Sequence, residues 1–566
     1  MSDFAAPHNI RSGQVQRGDW RLILLIGCFC LCYAAVVVNM GLLAATDPTE
    51  PVLGDANSGG RAVRGEIIDR NGNLLAANLP AWSLYAHPRV MKEPVRVADA
   101  LDAIFPDIDR ETLLKKLTGK RRFVWIKRPI TPREKQLVHD LGFPGLHFGN
   151  REIRIYPAGR TAAHIVGAVR PEREDVRQTE LVGSAGIEKH FDERLRDPGL
   201  VDTPVQLALD LSVQQAVRDV LGEGMKRLTA KGGAAILMKA KTGEIVSMVS
   251  LPDFDPNEKP VFFRGRAEDD PRFNMAAQGR YELGSTFKVL TAAMALEAGV
   301  AKSSTVIQTP RVLKFGRHRI GESHRMPTQM SIEDIVVKSS NVGSARLSMM
   351  IGTRKFQTFL RELGMLDPSG LELAEAARTR PLLPEYWTDL SSMTIAFGHG
   401  LSVSPVHLAA AYATLANDGR RILPTLLKGG NPSGEQVFSK ETAREMLRIM
   451  RQVVVRGTAR RAEVEGFEIG GKTGTAEKPG RRGGYDRNRV IASFASVFPT
   501  SDPEYVLIVS LDEPTDRSGP KPVRSAGKTA VPVAAEIVRR VTPLLGMRPR
   551  PTAFVSGPVT LSAGID

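Results

Sequence analysis

The chain has 566 residues, 42% of them hydrophobic and 25% charged, with a formal net charge of +15. Such a composition excludes a disordered polypeptide and suits two or three domains with ample core. The basic residues are dispersed, with no basic-aromatic module and no zinc-knuckle spacing, which argues against nucleic acid and leaves anionic lipid or an acidic polymer as the neighbour.

Residues Leu22 to Ala45 are apolar apart from Asn39. At ~1.5 Å per residue these roughly 24 residues would span a ~30 Å bilayer core, so the sequence predicts a single transmembrane helix over 22–45. A cleaved signal peptide is the competing reading, but its apolar region is usually shorter and no A-x-A site closes this one. Arg11, Arg17 and Arg21 precede the span while Asp47, Glu50 and Asp55 follow it. Residues 1–21 are therefore expected in the cytoplasm and everything after residue 46 outside it. Cys28, Cys30 and Cys32 all lie in the span, so the exported part must hold together without disulfides. Small thiols in lipid are packing groups, and no metal is predicted.

A linker to about Gly60 leads to RGEIIDRNGNLLA (64–76), whose apolar pairs flank Asp69-Arg70-Asn71-Gly72 and predict a β-hairpin with an Asn-Gly turn. Short strands then alternate with charged helical stretches, including Arg133-Glu134-Lys135 and Phe191-Asp192-Glu193-Arg194. Residues 46–220 are expected to form an elongated mixed α/β pedestal, its Asp69 and Glu188 fixing turns or ion pairs. From 221 to 548 a larger domain begins with a hairpin, 234–238 and 245–250. Later come a helix capped by Ser331, a second helix running to about Gly364, and strands over 467–476, 489–498 and 504–511, with Lys478 to Arg487 as a Gly- and Arg-rich loop. A helix over 530–540 closes it, and 549–566 is an irregular tail. The expected class is α/β (α+β), with an antiparallel sheet flanked by helices.

The chemistry concentrates at YELGSTFKVLTAAMALEAG (281–299), where Ser285 and Lys288 stand three residues apart at a helix start and so share a face. Phe287, Leu290, Met294 and Ala298 would bury one side of that helix. A serine one turn before a neutral lysine is an activated nucleophile. Alone, the pattern is weak: Ser518-Gly-Pro-Lys521 and Ser525-Ala-Gly-Lys528 also match, but Pro520, Gly519 and Gly527 argue against helices there. Likewise Lys241-Thr242-Gly243 repeats Lys472-Thr473-Gly474 at a simple hairpin turn.

Ser285-x-x-Lys288, Ser339-x-Asn341 and Lys472-Thr473-Gly474 occur in the order found in penicillin-binding proteins and serine β-lactamases. RGEIIDRNG, Arg154 to Pro157, Gly186-Ile-Glu188, LDLSVQ (209–214), Gly398-His-Gly400 and Asn417-Asp-Gly419 extend the resemblance over nearly the whole chain, most of all to the division-specific class B penicillin-binding proteins. Leu283 replaces a proline common in the family and alters only turn shape. The resemblance implies a serine D,D-transpeptidase that cross-links the pentapeptide stems of peptidoglycan. Ser285 would form an acyl-enzyme, Lys288 take its proton, Ser339 relay a proton to the leaving nitrogen and Asn341 orient Lys288 and the substrate amide. Lys472 and the Thr473 and Thr475 hydroxyls would hold the terminal carboxylate, with Gly474 in the strand between, and the backbone N–H groups of Ser285 and Thr475 would form the oxyanion hole. No cofactor is implied. The expected partners are β-lactams as covalent inhibitors, a membrane glycosyltransferase of the FtsW type and other division proteins. The expected place is the bacterial inner membrane, with the catalytic domain periplasmic. An elongation-specific enzyme of the same class and a β-lactam sensor or hydrolase stand as alternatives. So does a catalytically dead scaffold, against which every motif residue is present.

Overall fold

A computed structural model describes residues 12–45, 64–174, 179–258, 263–430, 434–480 and 484–550. The linker (46–60), Arg11, Asp47, Glu50, Asp55 and the tail beyond Arg550 lie outside the described residues. The chain divides into an N-terminal unit ending at Arg61 and a second unit with all the rest.

In the first unit a single helix, Ser12–Ala45, begins ahead of the predicted start. Its stretch Ile23–Gly41 is long and apolar enough to cross a membrane. Its described side chains are exposed, the three cysteines among them.

The second unit opens with the predicted hairpin, Ile67–Ile68 pairing antiparallel with Leu74–Ala86. Asp69 at its turn is fully buried. It accepts from the backbone N–H of Asn71 and Asn73, each 2.8 Å away, and from Leu211 N at 3.2 Å, fastening the turn to the next domain's first helix. Burial pulls this carboxyl upward, but the donors from Asn73, Leu211 and Asn71 outweigh it and hold the group below the usual carboxylate range. Leu74–Ala86 pairs further along with Val124–Ile130 and Leu146–Ile155. Helices Pro94–Ile104, Arg110–Leu117 and Pro132–Asp140 close a core of Leu84, Leu101, Phe105, Leu113 and Ile126.

Three of the segments that carried the resemblance meet in one buried ion network. Arg64 Nε lies 2.5 Å from one Glu188 oxygen and Arg154 Nε 2.7 Å from the other, while Arg64 Nη1 reaches Asp192 at 2.8 Å. All three principal side chains are essentially removed from solvent. Glu188 therefore bridges two guanidinium groups far apart in sequence, a structural duty.

The larger domain is built on a five-stranded antiparallel sheet in the order Gly470–Pro479, Tyr485–Phe498, Tyr505–Asp512, Gly232–Lys239, Ile245–Leu251. The three strands at 232, 245 and 505 are buried along nearly their whole length, which is why they appear in the sequence as continuous apolar runs. Helices Leu211–Arg227 and Ala530–Leu544 pack together on the sheet, and Pro405–Ala416 and Lys440–Arg456 form a second group against it. Residue 220, where the sequence divides pedestal from catalytic domain, falls inside the first of these helices. The Gly- and Arg-rich loop is shorter than predicted. Lys478 and Pro479 still pair with Asp486 and Tyr485, because Lys478 is held by Asp512 at 2.8 Å.

The helix after Ser285 differs more instructively. Residues Gly284–Thr286 form a 3-10 turn, and in the α-helix Phe287–Glu297 every residue from Phe287 to Ala295 is buried. It is a central helix with no solvent face, so the one-sided pattern expected for Phe287, Leu290, Met294 and Ala298 does not describe it. The Ser331 cap forms as predicted, accepting from Asp334 N at 3.1 Å, but the second helix breaks at Gly352 into Asn341–Ile351 and Thr353–Glu362.

Removing Glu188 leaves the buried Arg154 without its carboxylate and Arg64 with only Asp192. Glu188→Ala is expected to lower the unfolding free energy by about 3–5 kcal/mol in a denaturant titration, whereas truncating an exposed pair such as Arg96–Glu93 costs at most about 1 kcal/mol.

Candidate active site

Ser285 occupies the 3-10 turn that opens the central helix and is half-buried. The turn is clamped: Thr286 Oγ1 donates to Leu283 O at 2.9 Å and Tyr412 Oη to Thr286 O at 2.9 Å. The edge strand of the sheet approaches it so closely that a Cβ on Gly474 would lie 2.3 Å from Leu283 O. On another side a Cβ on Gly398 would lie 1.9 Å from Gly284 O. Only glycine fits either contact.

One turn into the helix, Lys288 is 1% exposed. Its Nζ lies 2.6 Å from Ser339 O, 2.7 Å from Asn341 Oδ1 and 3.1 Å from Ser339 Oγ. Lys472, wholly buried on the edge strand, brings its Nζ to 3.0 Å from the same Ser339 Oγ and 3.0 Å from Thr473 O. One hydroxyl thus stands between two buried amines. Ser339 can present both its carbonyl and its hydroxyl because it ends helix Ile332–Lys338 in the left-handed region, at φ 67° and ψ 49°. That helix is pinned by ion pairs from Glu333 to Arg448 (2.7 Å) and from Asp334 to Arg456 (3.0 Å).

Burial drives the Lys288 amine well below the usual lysine range, with Lys472 pushing the same way and Glu322 opposing. Burial alone brings Lys472 down to about 7. A neutral Lys288 gives its two N–H bonds to the Ser339 and Asn341 carbonyl oxygens and keeps a lone pair for a hydroxyl proton. Desolvation is the larger cause, and Lys472 the smaller.

The structure brings Lys288, Ser339, Asn341 and Lys472 into direct contact, and the Ser285 hydroxyl bonds to none of these described side chains. Thr473 Oγ1 meets Thr458 Oγ1 at 2.7 Å. Thr475 is exposed, and its Oγ1 accepts from Ala526 N at 3.1 Å, which leaves its own O–H available as a donor. Two of the decoys sit elsewhere, while Ser525 directly precedes the Ala526 that bonds Thr475. Ser518 is tied to Asp516 in an exposed turn, Ser525 lies in another turn, and Lys241 pairs with Asp502 on the surface.

Sequence reasoning missed Glu322 and Thr458. Glu322 accepts from Asn341 N at 2.8 Å and Val342 N at 3.1 Å, and from the Ser340 hydroxyl, thereby fixing the start of the Asn341 helix. Neither residue belongs to a spaced motif, so no local pattern could have found them. Glu282, His399 and Tyr485 also line the turn. The Gly398-His-Gly400 segment was the only one of these visible beforehand, as a resemblance without a role.

Comparison with known proteins matches residues 233–539 to the penicillin binding protein transpeptidase domain and residues 60–198 to the penicillin-binding protein dimerisation domain. The chain is 35% identical to the probable peptidoglycan D,D-transpeptidase FtsI of Caulobacter vibrioides over 95% of its length and 90% of that protein. It is 32% identical to the probable peptidoglycan D,D-transpeptidase PenA of Neisseria meningitidis over 80% of each chain. It is 28% identical to the peptidoglycan D,D-transpeptidase FtsI of Escherichia coli K12 over 88% of each. The fold is also that of penicillin-binding protein 3 of Mycobacterium tuberculosis, crystallised with aztreonam, at TM-score 0.65 and 24% identity over 87% of this chain and 98% of that one. The chain belongs to the class B penicillin-binding proteins and is a peptidoglycan D,D-transpeptidase.

The left-handed Ser339 separates two effects. Ser339→Ala and Ser339→Gly both remove the hydroxyl between the lysines and are expected to slow penicillin acylation. Only Ala retains the unfavourable backbone, so the Gly variant should be about 1 kcal/mol more stable than the Ala variant in thermal melts.

Proposed function

We propose that this transpeptidase works through an acyl-enzyme on Ser285 and serves the division septum. The observation that carries the catalytic reading is the fully buried Lys288, held by Ser339 and Asn341 one helical turn after Ser285, with burial pushing its amine well below the usual lysine range. Ser285 Oγ attacks the carbonyl of the penultimate D-alanine and Lys288 takes its proton. Lys288 passes that proton through Ser339 to the departing nitrogen, and terminal D-alanine leaves. An amine on a neighbouring stem then displaces Ser285. Lys472 and the Thr473 and Thr475 hydroxyls receive the terminal carboxylate, whose place a β-lactam carboxylate takes. The backbone N–H groups of Ser285 and Thr475 are assigned to the oxyanion, where one such donor is worth about 3 kcal/mol.

The apolar helix Ile23–Gly41 and the relatives support a single-pass inner-membrane protein, with the N-terminus cytoplasmic and the catalytic domain periplasmic. A transpeptidase needs nascent strands, so a membrane glycosyltransferase of the FtsW type and other division proteins are the proposed partners. Resemblance favours the septum over elongation, and depletion in the native cell tests it: filaments that grow without dividing support the assignment, whereas loss of cell shape with continued septation assigns the chain to elongation.

Ser285→Ala and Lys288→Arg are each expected to reduce labelling by a penicillin at least about 10³-fold, the second because a guanidinium remains protonated. Peptide mapping of the adduct to Ser518 or Ser525 would contradict the assignment. Lys472 at about 7 gives a pH signature. Its cationic form, populated below that value, favours a carboxylate ligand. The ratio of acylation rates for a carboxylate-bearing over a neutral donor should therefore fall as pH rises through 7, and a flat ratio places carboxylate recognition elsewhere.

A further inference from the structure

On the flank of the Ser285 turn formed by the Gly398–Gly400 loop, a second polar cluster borders the nucleophile, and acylation as derived above does not use it. Glu282 lies three residues before Ser285. Its Oε1 accepts from Gly400 N at 2.6 Å and from Tyr485 Oη at 3.0 Å. Gly284 N donates to Gly398 O at 3.2 Å, so this loop is stitched to the turn on both sides of its histidine. The His399 ring meets Tyr485 edge-on at 5.7 Å and Phe397 at 5.3 Å. Two buried atoms here have no hydrogen-bond partner among the described residues: Glu282 Oε2 and His399 Nδ1. A carboxylate oxygen and an imidazole nitrogen left bare beside a reacting centre fit a cationic donor that arrives with substrate.

We propose that Glu282 and His399 form the acceptor subsite, in which the Glu282 carboxylate binds the primary ammonium of the attacking stem peptide and His399 takes one of its protons. The proposal rests on the acyl-enzyme reading and deepens it. A primary amine resembles a lysine side chain and is almost wholly protonated near neutrality, so it needs a base before it can attack. His399 is suited to that task. Burial holds its imidazole below the ordinary histidine value against the opposing charges of Glu282 and Glu477, which favours the neutral form that can accept a proton. The deprotonated nitrogen attacks the ester carbonyl, forming the C–N bond as the C–O bond to Ser285 breaks. The second amine proton passes through Lys288 to Ser285 Oγ, and the His399 imidazolium returns its proton to solvent.

The test uses the full chain in detergent micelles, a D-alanyl thioester as acyl donor and D-alanine as amine acceptor. It measures how the acyl-enzyme divides between aminolysis and hydrolysis. Glu282→Gln should raise the acceptor concentration giving half-maximal aminolysis. His399→Gln should lower the aminolysis-to-hydrolysis ratio at neutral pH by about 10²-fold, with the ratio recovering at alkaline pH, where the acceptor loses its proton unaided. Aminolysis and hydrolysis that fall together, or a ratio unmoved in His399→Gln, would overturn the proposal, and the latter variant decides the matter even if Glu282→Gln does not fold. A wild-type protein that penicillin does not acylate would overturn the acyl-enzyme reading, and this subsite with it.

Discussion

Two amines are buried on either side of one serine hydroxyl, and much of the catalytic domain serves to keep them there. A lysine taken out of water prefers to lose its proton, and Lys288 sits in a helix with no solvent-facing residue until its final turn. Surrounding it takes the 3-10 turn, the edge strand, the Ser339 turn and the helix Pro405–Ala416, whose Tyr412 anchors the Ser285 turn. The left-handed Ser339 costs roughly 1–2 kcal/mol in backbone energy, yet it lets a single residue offer a carbonyl and a hydroxyl to the same amine. The ion pairs of Glu333 and Asp334 with Arg448 and Arg456 hold that turn in place.

The approach of sheet to helix is set at backbone level. Gly474 and Gly398 permit contacts that a methyl group would forbid, and they bring the edge strand and the Gly398–Gly400 loop against the Ser285 turn from different directions. The turn is therefore positioned by main chain on each side. Of its side chains, Thr286 closes the turn from within and Ser285 stays half-buried.

What the sequence revealed was local. Ser285 and Lys288 were legible because helical spacing places them on one face, Ser331 because a cap precedes an apolar run, and the central strands because burial on both faces leaves an unbroken apolar signature. Other features were hidden for equally physical reasons. A helix buried all round loses the periodicity that reveals its inner face, so the Phe287 to Ala298 pattern misled. Tyr485 and Asp486 pair with Pro479 and Lys478 across a register shift, where Lys478, Asp512, Glu513 and Arg489 form ion pairs across the sheet. Glu322 reaches the Asn341 helix from a distant hairpin, and Glu282, His399 and Tyr485 come from three separate segments. Tertiary convergence of that kind has no sequence period.

The network around Glu188 also sets where this protein can be cut. Arg64 supplies one of the two guanidinium groups, and its carbonyl accepts from Arg154 Nη1 at 3.3 Å and from Asn78 Nδ2 at 3.2 Å. A fragment freed from the apolar N-terminal helix must therefore start no later than Arg64. One that begins even two residues later would keep the whole catalytic domain and still bury an unbalanced charge in the pedestal, so the usable N-terminal boundary is fixed by electrostatics at a point well outside the domain that performs the chemistry.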